Sequence, residues 1–134
     1  LELALSWCVE HQAEEIYIVG GLGGRFDQTL ANIYLLSLPQ LKDTHVEVVD
    51  DKQSIRLLQP GEHLISGSIG DTISLIPIGD RVCGITTTAL QYPLKDEDLI
   101  LGPARGVSNV MTEKQAKVKT REGLLLMIHT IGRA

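Results

Sequence analysis

An α/β layer followed by an all-β sandwich is the architecture the sequence predicts, and three observations predict it. The first fifty residues alternate helical and strand-like hydrophobic patterns in the order helix, strand, helix, strand, the texture of a parallel α/β layer. From Lys52 onward no helical period persists, and short apolar runs alternate with Gly and Pro turn signals, as in a sandwich or barrel. The change of texture falls at 50–52 without a Gly/Ser linker, so two parts are expected, 1–50 and 51–134.

Residues 1–13 read as a helix, because Leu1, Ala4, Leu5 and Cys8 recur at helical spacing while Leu3 and Trp7 widen the apolar face. Trp7 is expected in the core. No capping residue precedes this helix and the chain starts at Leu1, so it is expected to be cut from a longer chain, with the α/β layer truncated. Residues 15–19 (EIYIV) form a short buried strand ended by glycines. A second helix is expected over 28–38. Leu30, Ala31, Ile33, Tyr34, Leu35, Leu36 and Leu38 cover nearly all its sides, which predicts burial, and Pro39 stops it. Residues 46–50 (VEVVD) are the next strand. Beyond them, strands are expected at 53–58, 63–66, 72–78, 82–90, 115–120 and 124–131, with the Thr86–Thr88 run suited to a pleated surface. The charged stretch 95–98 reads as a solvated turn.

The chain has 134 residues, 43% of them hydrophobic, enough for a real core. Its net charge of −5 argues against nucleic acid as a partner. Residues 1–43 carry six acids and two bases and the remainder eleven and ten, so neither part is a basic patch. Two cysteines, Cys8 and Cys83, lie far apart with no CxxC, which fits a reducing compartment. No apolar run approaches the roughly 18 residues of a membrane span, and no signal peptide is visible. A cytoplasmic location without membrane contact is therefore expected. His11, His45, His63 and His129 share no metal-ligand spacing and read as surface or structural residues.

The stretch GGLGGRFDQTLANIYLL, residues 20–36, sits between a strand and a helix. Glycines there let the backbone approach a ligand and present its N–H groups, while the helix aims its positive end at the same place. Arg25 adds a fork suited to phosphate, and Asp27 a hard oxygen ligand suited to magnesium. The plainer alternative stays open: Asp27 caps the helix and Gly23–Gly24 make a turn. The spacing matches neither GxGxxG nor GxxxxGK[ST]. Farther along, Tyr92 stands before Pro93 at the end of a strand, where an aromatic ring can stack on a flat ligand or simply cover a sheet edge. Ser108 and Asn109, in GPARGVSNV, offer hydrogen bonds to a polar ligand or serve as turn formers.

Three segments in order resemble the bacterial thiamine pyrophosphokinases: GGLGGRFDQTLANIYLL, then DTISLIPIGD with GITTTALQYPL, then GVSNV. The resemblance implies an ATP-binding α/β catalytic domain, whose C-terminal part is 1–50, and a thiamine-binding β-sandwich at 51–134. It implies transfer of pyrophosphate from ATP to thiamine, giving thiamine diphosphate and AMP, with Mg2+ required and a homodimer sharing its site between subunits. Carried over by position, Arg25 and Asp27 are the catalytic residues, with Asp27 also the metal ligand. Gly21, Gly23, Gly24, Arg25 and Gln28 hold ATP and its phosphates. Tyr92, Ser108, Asn109 and Thr87 form the thiamine side, with Thr86 and Thr88 supporting it, while Asn32 matches a buried polar position. Two acidic segments that the family carries upstream have no counterpart here, so the chain alone is expected to be inactive. Ala89 replaces the family's usual Gly, which points to strain or altered packing near Tyr92. A non-catalytic nucleotide or thiamine diphosphate sensing module, and a purely structural domain, are the competing readings. Arg25, Asp27, Tyr92 and Ser108 together favour the enzyme.

Overall fold

The computed structural model describes residues 1–133, which divide into two compact units, Leu1–Leu57 and a second from Leu58 onward. In the first unit α1 (Glu2–Glu10) leads to β1 (Glu15–Val19), then α2 (Phe26–Leu35), a 3-10 turn (Pro39–Leu41), β2 (His45–Asp50) and β3 (Gln53–Leu58). β1 and β2 pair in parallel, from Glu15 opposite His45 to Val19 opposite Val49, and β3 returns antiparallel along β2. A parallel pair needs a crossover, and α2 with its flanking loops supplies it.

Both helices are shorter and more exposed than the pattern predicts. α1 ends at Glu10 because Gln12 takes φ 59, a left-handed conformation that terminates the ladder. Leu5 is its one buried residue; Trp7 is 59% exposed and stacks on His11 at a centroid distance of 3.8 Å, so the core role expected for it does not hold. α2 starts two residues earlier than expected and buries none of its residues, whereas Leu36 and Leu41, just beyond it, are buried. A sequence that is apolar on all sides reports composition; how much of it is covered depends on what packs around it. β1 likewise buries only Ile16 and Ile18, leaving Tyr17 and Val19 outward, which is one covered face rather than two.

Among the described residues, the regular elements of the second unit are all strands. β4 (Gly61–Ser66), β5 (Thr72–Thr88), β6 (Glu97–Ile100), β7 (Asn109–Val110), β8 (Gln115–Thr120) and β9 (Glu122–Thr130) pair antiparallel throughout. Two expected strands, 72–78 and 82–90, are one element. The Gly-Asp-Arg between them does not turn the chain: Gly79 at φ 91 and a register shift against β9 between Ile78 and Cys83 bend the strand while it continues. The bulge also shifts the inward phase, from Ile73 and Leu75 before it to Val82 after it, and a second register shift, against β6 between Val82 and Ile85, returns it to Ile85 and Thr87. The first half of β5 pairs with β9 and β7, the second half with β6 and β8. The charged stretch 95–98 is only half a turn, since Glu97 and Asp98 open β6. Leu58, Ile73, Leu75, Ile85, Leu125 and Met127 are central to the core that these strands enclose.

Candidate functional site

The loop between β1 and α2 is built from glycines with different duties. Gly20 takes φ 72, a turn conformation that favours glycine. Gly21 is packed inward: a Cβ there would lie 3.0 Å from Ile18 Cγ2 and 3.1 Å from Val48 Cγ1. Its carbonyl accepts a 2.8 Å bond from Asn32 Nδ2, so Asn32 is a structural brace and Gly21 shapes the loop from the inside rather than facing a ligand. Gly23 and Gly24 differ. Neither has a positive φ, and nothing lies within 4 Å of where a Cβ would sit. The chain path does not require glycine at these two positions, and the space beside them is open. Thr29, which the sequence pattern did not single out, clamps this part of the loop: its Oγ1 accepts from Gly23 N at 3.1 Å and donates to Gly23 O at 3.3 Å.

Asp27 does not occupy the capping position. That place belongs to Arg25, whose side chain makes no cap bond, and Asp27 sits in the first turn. Its Oδ2 accepts from Arg25 Nη2 at 2.6 Å and its Oδ1 from Arg25 Nε at 3.2 Å, in fork geometry. The Arg25 guanidinium, and after it the Gln28 backbone N–H, hold the Asp27 carboxyl below the usual carboxylate range. Both side chains are exposed. An arginine fork and the helix's first N–H groups thus converge on one carboxylate, the arrangement that binds any compact anion.

In the second unit, segments 89–92 and 109–112 run side by side, joined by the Leu90–Met111 bridge and by the bonds Gln91 N to Val110 O (2.9 Å) and Thr112 N to Ala89 O (2.9 Å). This brings Tyr92 against Asn109, with Ser108 next to Asn109 in the chain. The Tyr92 ring is 56% exposed, and Tyr92 lies in the turn after β5 rather than at the end of the strand. Asn109 is buried, and its amide is committed: Oδ1 accepts from Tyr92 N at 2.9 Å and from Val110 N at 3.0 Å, while Nδ2 donates to Tyr92 O at 2.7 Å. Asn109 is therefore a bracket for the Tyr92 backbone. Thr87 is also turned inward, its Oγ1 accepting from Leu94 N at 2.8 Å, so it supports the turn without lining a surface. Thr86 Oγ1 similarly accepts from Asp96 N at 3.1 Å. Ser108 is exposed at φ 60, its backbone N–H given to Ser74 Oγ at 3.0 Å.

Ala89 holds φ 59, where a side chain crowds its own carbonyl. Ala89→Gly is expected to raise stability by about 0.5–1 kcal/mol, relief of that strain exceeding the added chain entropy. A urea midpoint that falls instead would show that the alanine methyl contributes more by packing against the core.

Asp71, to which no sequence motif points, is buried immediately before β5. Its Oδ2 accepts from His129 Nε2 at 2.7 Å and from Ser68 N at 2.9 Å, and its Oδ1 from Gly132 N at 2.8 Å. Burial pushes the Asp71 carboxyl up, but the Gly132 and Ser68 N–H groups together with His129 outweigh it and leave it below the usual range. A folded pKa below the unfolded one, about 3.9, contributes stability above that pH and loses it as the pH falls through the folded value. The native protein is therefore expected to lose stability below about pH 4 more steeply than Asp71→Asn, as read from urea midpoints between about pH 2 and pH 6. Parallel profiles would refute this.

Among the described residues no group of three or more His, Cys, Asp or Glu side chains converges as a metal site, and no helix is long and apolar enough to cross a membrane.

A helix-and-strand unit carrying a glycine-rich loop, followed by an antiparallel unit that presents an aromatic turn, is the class this fold defines. The family model described as "Thiamin pyrophosphokinase, catalytic domain" matches residues 1–49, and that described as "Thiamin pyrophosphokinase, vitamin B1 binding domain" matches 62–125. The thiamine pyrophosphokinase of Bacillus subtilis is 32% identical over 131 residues, covering 97% of this chain and 61% of that protein. Thiamine pyrophosphokinase 1 of Arabidopsis thaliana is 31% identical over 118 residues, covering 85% of this chain and 43% of that protein. A crystal structure of the Bacillus subtilis enzyme superimposes with a TM-score of 0.91 at 31% identity, over 97% of this chain and 62% of that one. The chain belongs to the thiamine pyrophosphokinase family. It spans about three fifths of the length of its Bacillus relative.

Proposed function

We propose that this chain is part of an enzyme that transfers pyrophosphate from ATP to thiamine, giving thiamine diphosphate and AMP. The observation that carries the reading is the open, unstrained backbone at Gly23 and Gly24 beside the Arg25 fork at the start of α2. Glycine at both positions is explained by a ligand that lies against the backbone, and the fork and helix terminus favour an anion. In the reaction the thiamine hydroxyl oxygen bonds to the β-phosphorus of ATP and loses its proton. The bond from that phosphorus to the oxygen bridging to the α-phosphate breaks, and AMP leaves.

Gly24 would offer its N–H to the phosphates, Gly23, whose own N–H is held by Thr29, would leave the room for them to approach, Arg25 would turn from Asp27 to a phosphate oxygen, and Gln28 would contact the nucleotide. Magnesium suits this loop in part: Asp27 supplies one carboxylate, and the ion usually takes one or two plus phosphate oxygens and water. When bound, it neutralises phosphate charge. Tyr92 and Ser108 would face thiamine, the ring stacking on its flat heterocycle, with Asn109 and Thr87 holding them in place. The finer architecture proposed is an α/β layer, 1–50, handling ATP and a β-sandwich, 51–134, binding thiamine. The assembly proposed is a homodimer in the cytoplasm; the free thiols of Cys8 and Cys83 support a reducing compartment.

The test is incubation of the protein encoded in full with ATP, thiamine and magnesium. Equal amounts of AMP and thiamine diphosphate are expected. Binding of thiamine diphosphate without AMP formation would replace the enzyme by a sensing module.

A further inference from the structure

The Asp71–His129 pair lies outside the residues given to substrate, yet its bonds lead to them. Asp71 ties three places together through its carboxylate: the preceding turn at Ser68, β9 at His129 and the chain beyond it at Gly132. The same turn grips Met111 through its backbone, with Met111 N bonded to Asp71 O at 2.8 Å and Gly70 N bonded to Met111 O at 2.9 Å. Two residues before Met111 is Asn109, which pairs with Ile73 across β5, while Ile73 pairs with His129 on its other side. Gly67 shows how closely these groups meet. A Cβ there would lie 2.8 Å from Met111 Sδ, 2.9 Å from Asp71 Oδ2 and 3.0 Å from His129 Nε2. The segment 109–111 is thus held on one edge by the Asp71 turn and on the other by 89–92, whose Tyr92 backbone the Asn109 amide brackets.

We propose that Asp71 and His129 are positioning residues for thiamine: they lock the strap 109–111 in one place, and through Asn109 they fix where Tyr92 presents its ring. The proposal rests on the reading of Tyr92 and Ser108 as the thiamine side. A carboxylate that accepts three bonds from three segments admits one arrangement of those segments. An apolar pair of the same volume would let the turn slide, because packing alone has no directionality.

Amide hydrogen exchange at Tyr92, whose N–H is given to Asn109, reads the strap with no ligand present. His129→Leu is expected to speed that exchange about tenfold or more, while His129→Gln, which keeps a donor toward Asp71, stays within about threefold of the native rate. With substrates, His129→Leu is expected to raise the KM for thiamine about tenfold and to leave kcat and ATP affinity within about twofold, with His129→Gln restoring thiamine affinity. Asp71→Asn is expected to follow His129→Leu. Should Asp71→Asn fail to fold, the contrast between Leu and Gln at position 129 decides. An unchanged Tyr92 exchange rate in His129→Leu overturns the proposal, as does equal behaviour of the two His129 variants or a matching loss of ATP affinity. Failure of the native protein to bind thiamine overturns the assignment of the site instead, and the exchange measurement separates the two failures.

Discussion

Asp27→Asn is expected to lower kcat about 100-fold while shifting the thermal midpoint by less than about 2 °C. Asp27 is exposed, does not occupy the capping position, and takes its side-chain partner from Arg25 two residues away. Little of the fold depends on it, because an exposed ion pair contributes little to stability. Its expected contribution is to chemistry, where it orients Arg25 between catalytic cycles and gives magnesium an oxygen. A large drop in midpoint with kcat unchanged would make Asp27 a helix-terminus residue and nothing more.

Gly106→Ala is expected to destabilise the second unit by about 3 kcal/mol and to lower the midpoint by about 10 °C. A Cβ at Gly106 would collide with the carbonyl oxygen of Leu75 and stand 2.9 Å from Leu99 Cδ1, both in the core-forming strands. The close approach is fixed by the 2.8 Å bond from Leu75 N to Gly106 O, so relief requires moving backbone against backbone. The same displacement would carry Ser108 away from Ser74, which holds its N–H. Gly23→Ala is the matched control: nothing lies within 4 Å of its Cβ position, and its stability is expected to stay within about 0.5 kcal/mol of native. Equal losses from the two substitutions would refute the steric account.

Some elements were legible from a few residues. EIYIV stands between helical texture and two glycines, and β1 runs Glu15–Val19. QSIRLL and QAKVKT each coincide with a strand, because period-two alternation bounded by turn residues leaves few alternatives. The glycine-rich segment stood out for a different reason. Glycines at 23 and 24, an arginine and an aspartate beside a helix start are a costly combination for a mere turn, and Gly23 and Gly24 proved to have no conformational need to be glycine. The roles of polar side chains were not legible. Asn109 and Thr87 read as ligand contacts, whereas both are turned inward onto backbone atoms seventeen and seven residues away, a commitment that depends on which chain segments become neighbours.

The amino-acid pattern alone specified the helix, strand, helix, strand order of the first part, the break between a helix-bearing part and a strand-rich part, and the glycine-rich loop between β1 and α2. These follow from local periodicity and from turn chemistry, which act within a few residues. Burial, partnership and register belong to folding at long range. Trp7 lies outward, α2 buries none of its side chains, two expected strands run on as the bent β5, and Asp71 meets His129 from 58 residues away. Each depends on which surfaces meet across the sheet, and no window of neighbouring residues contains that information.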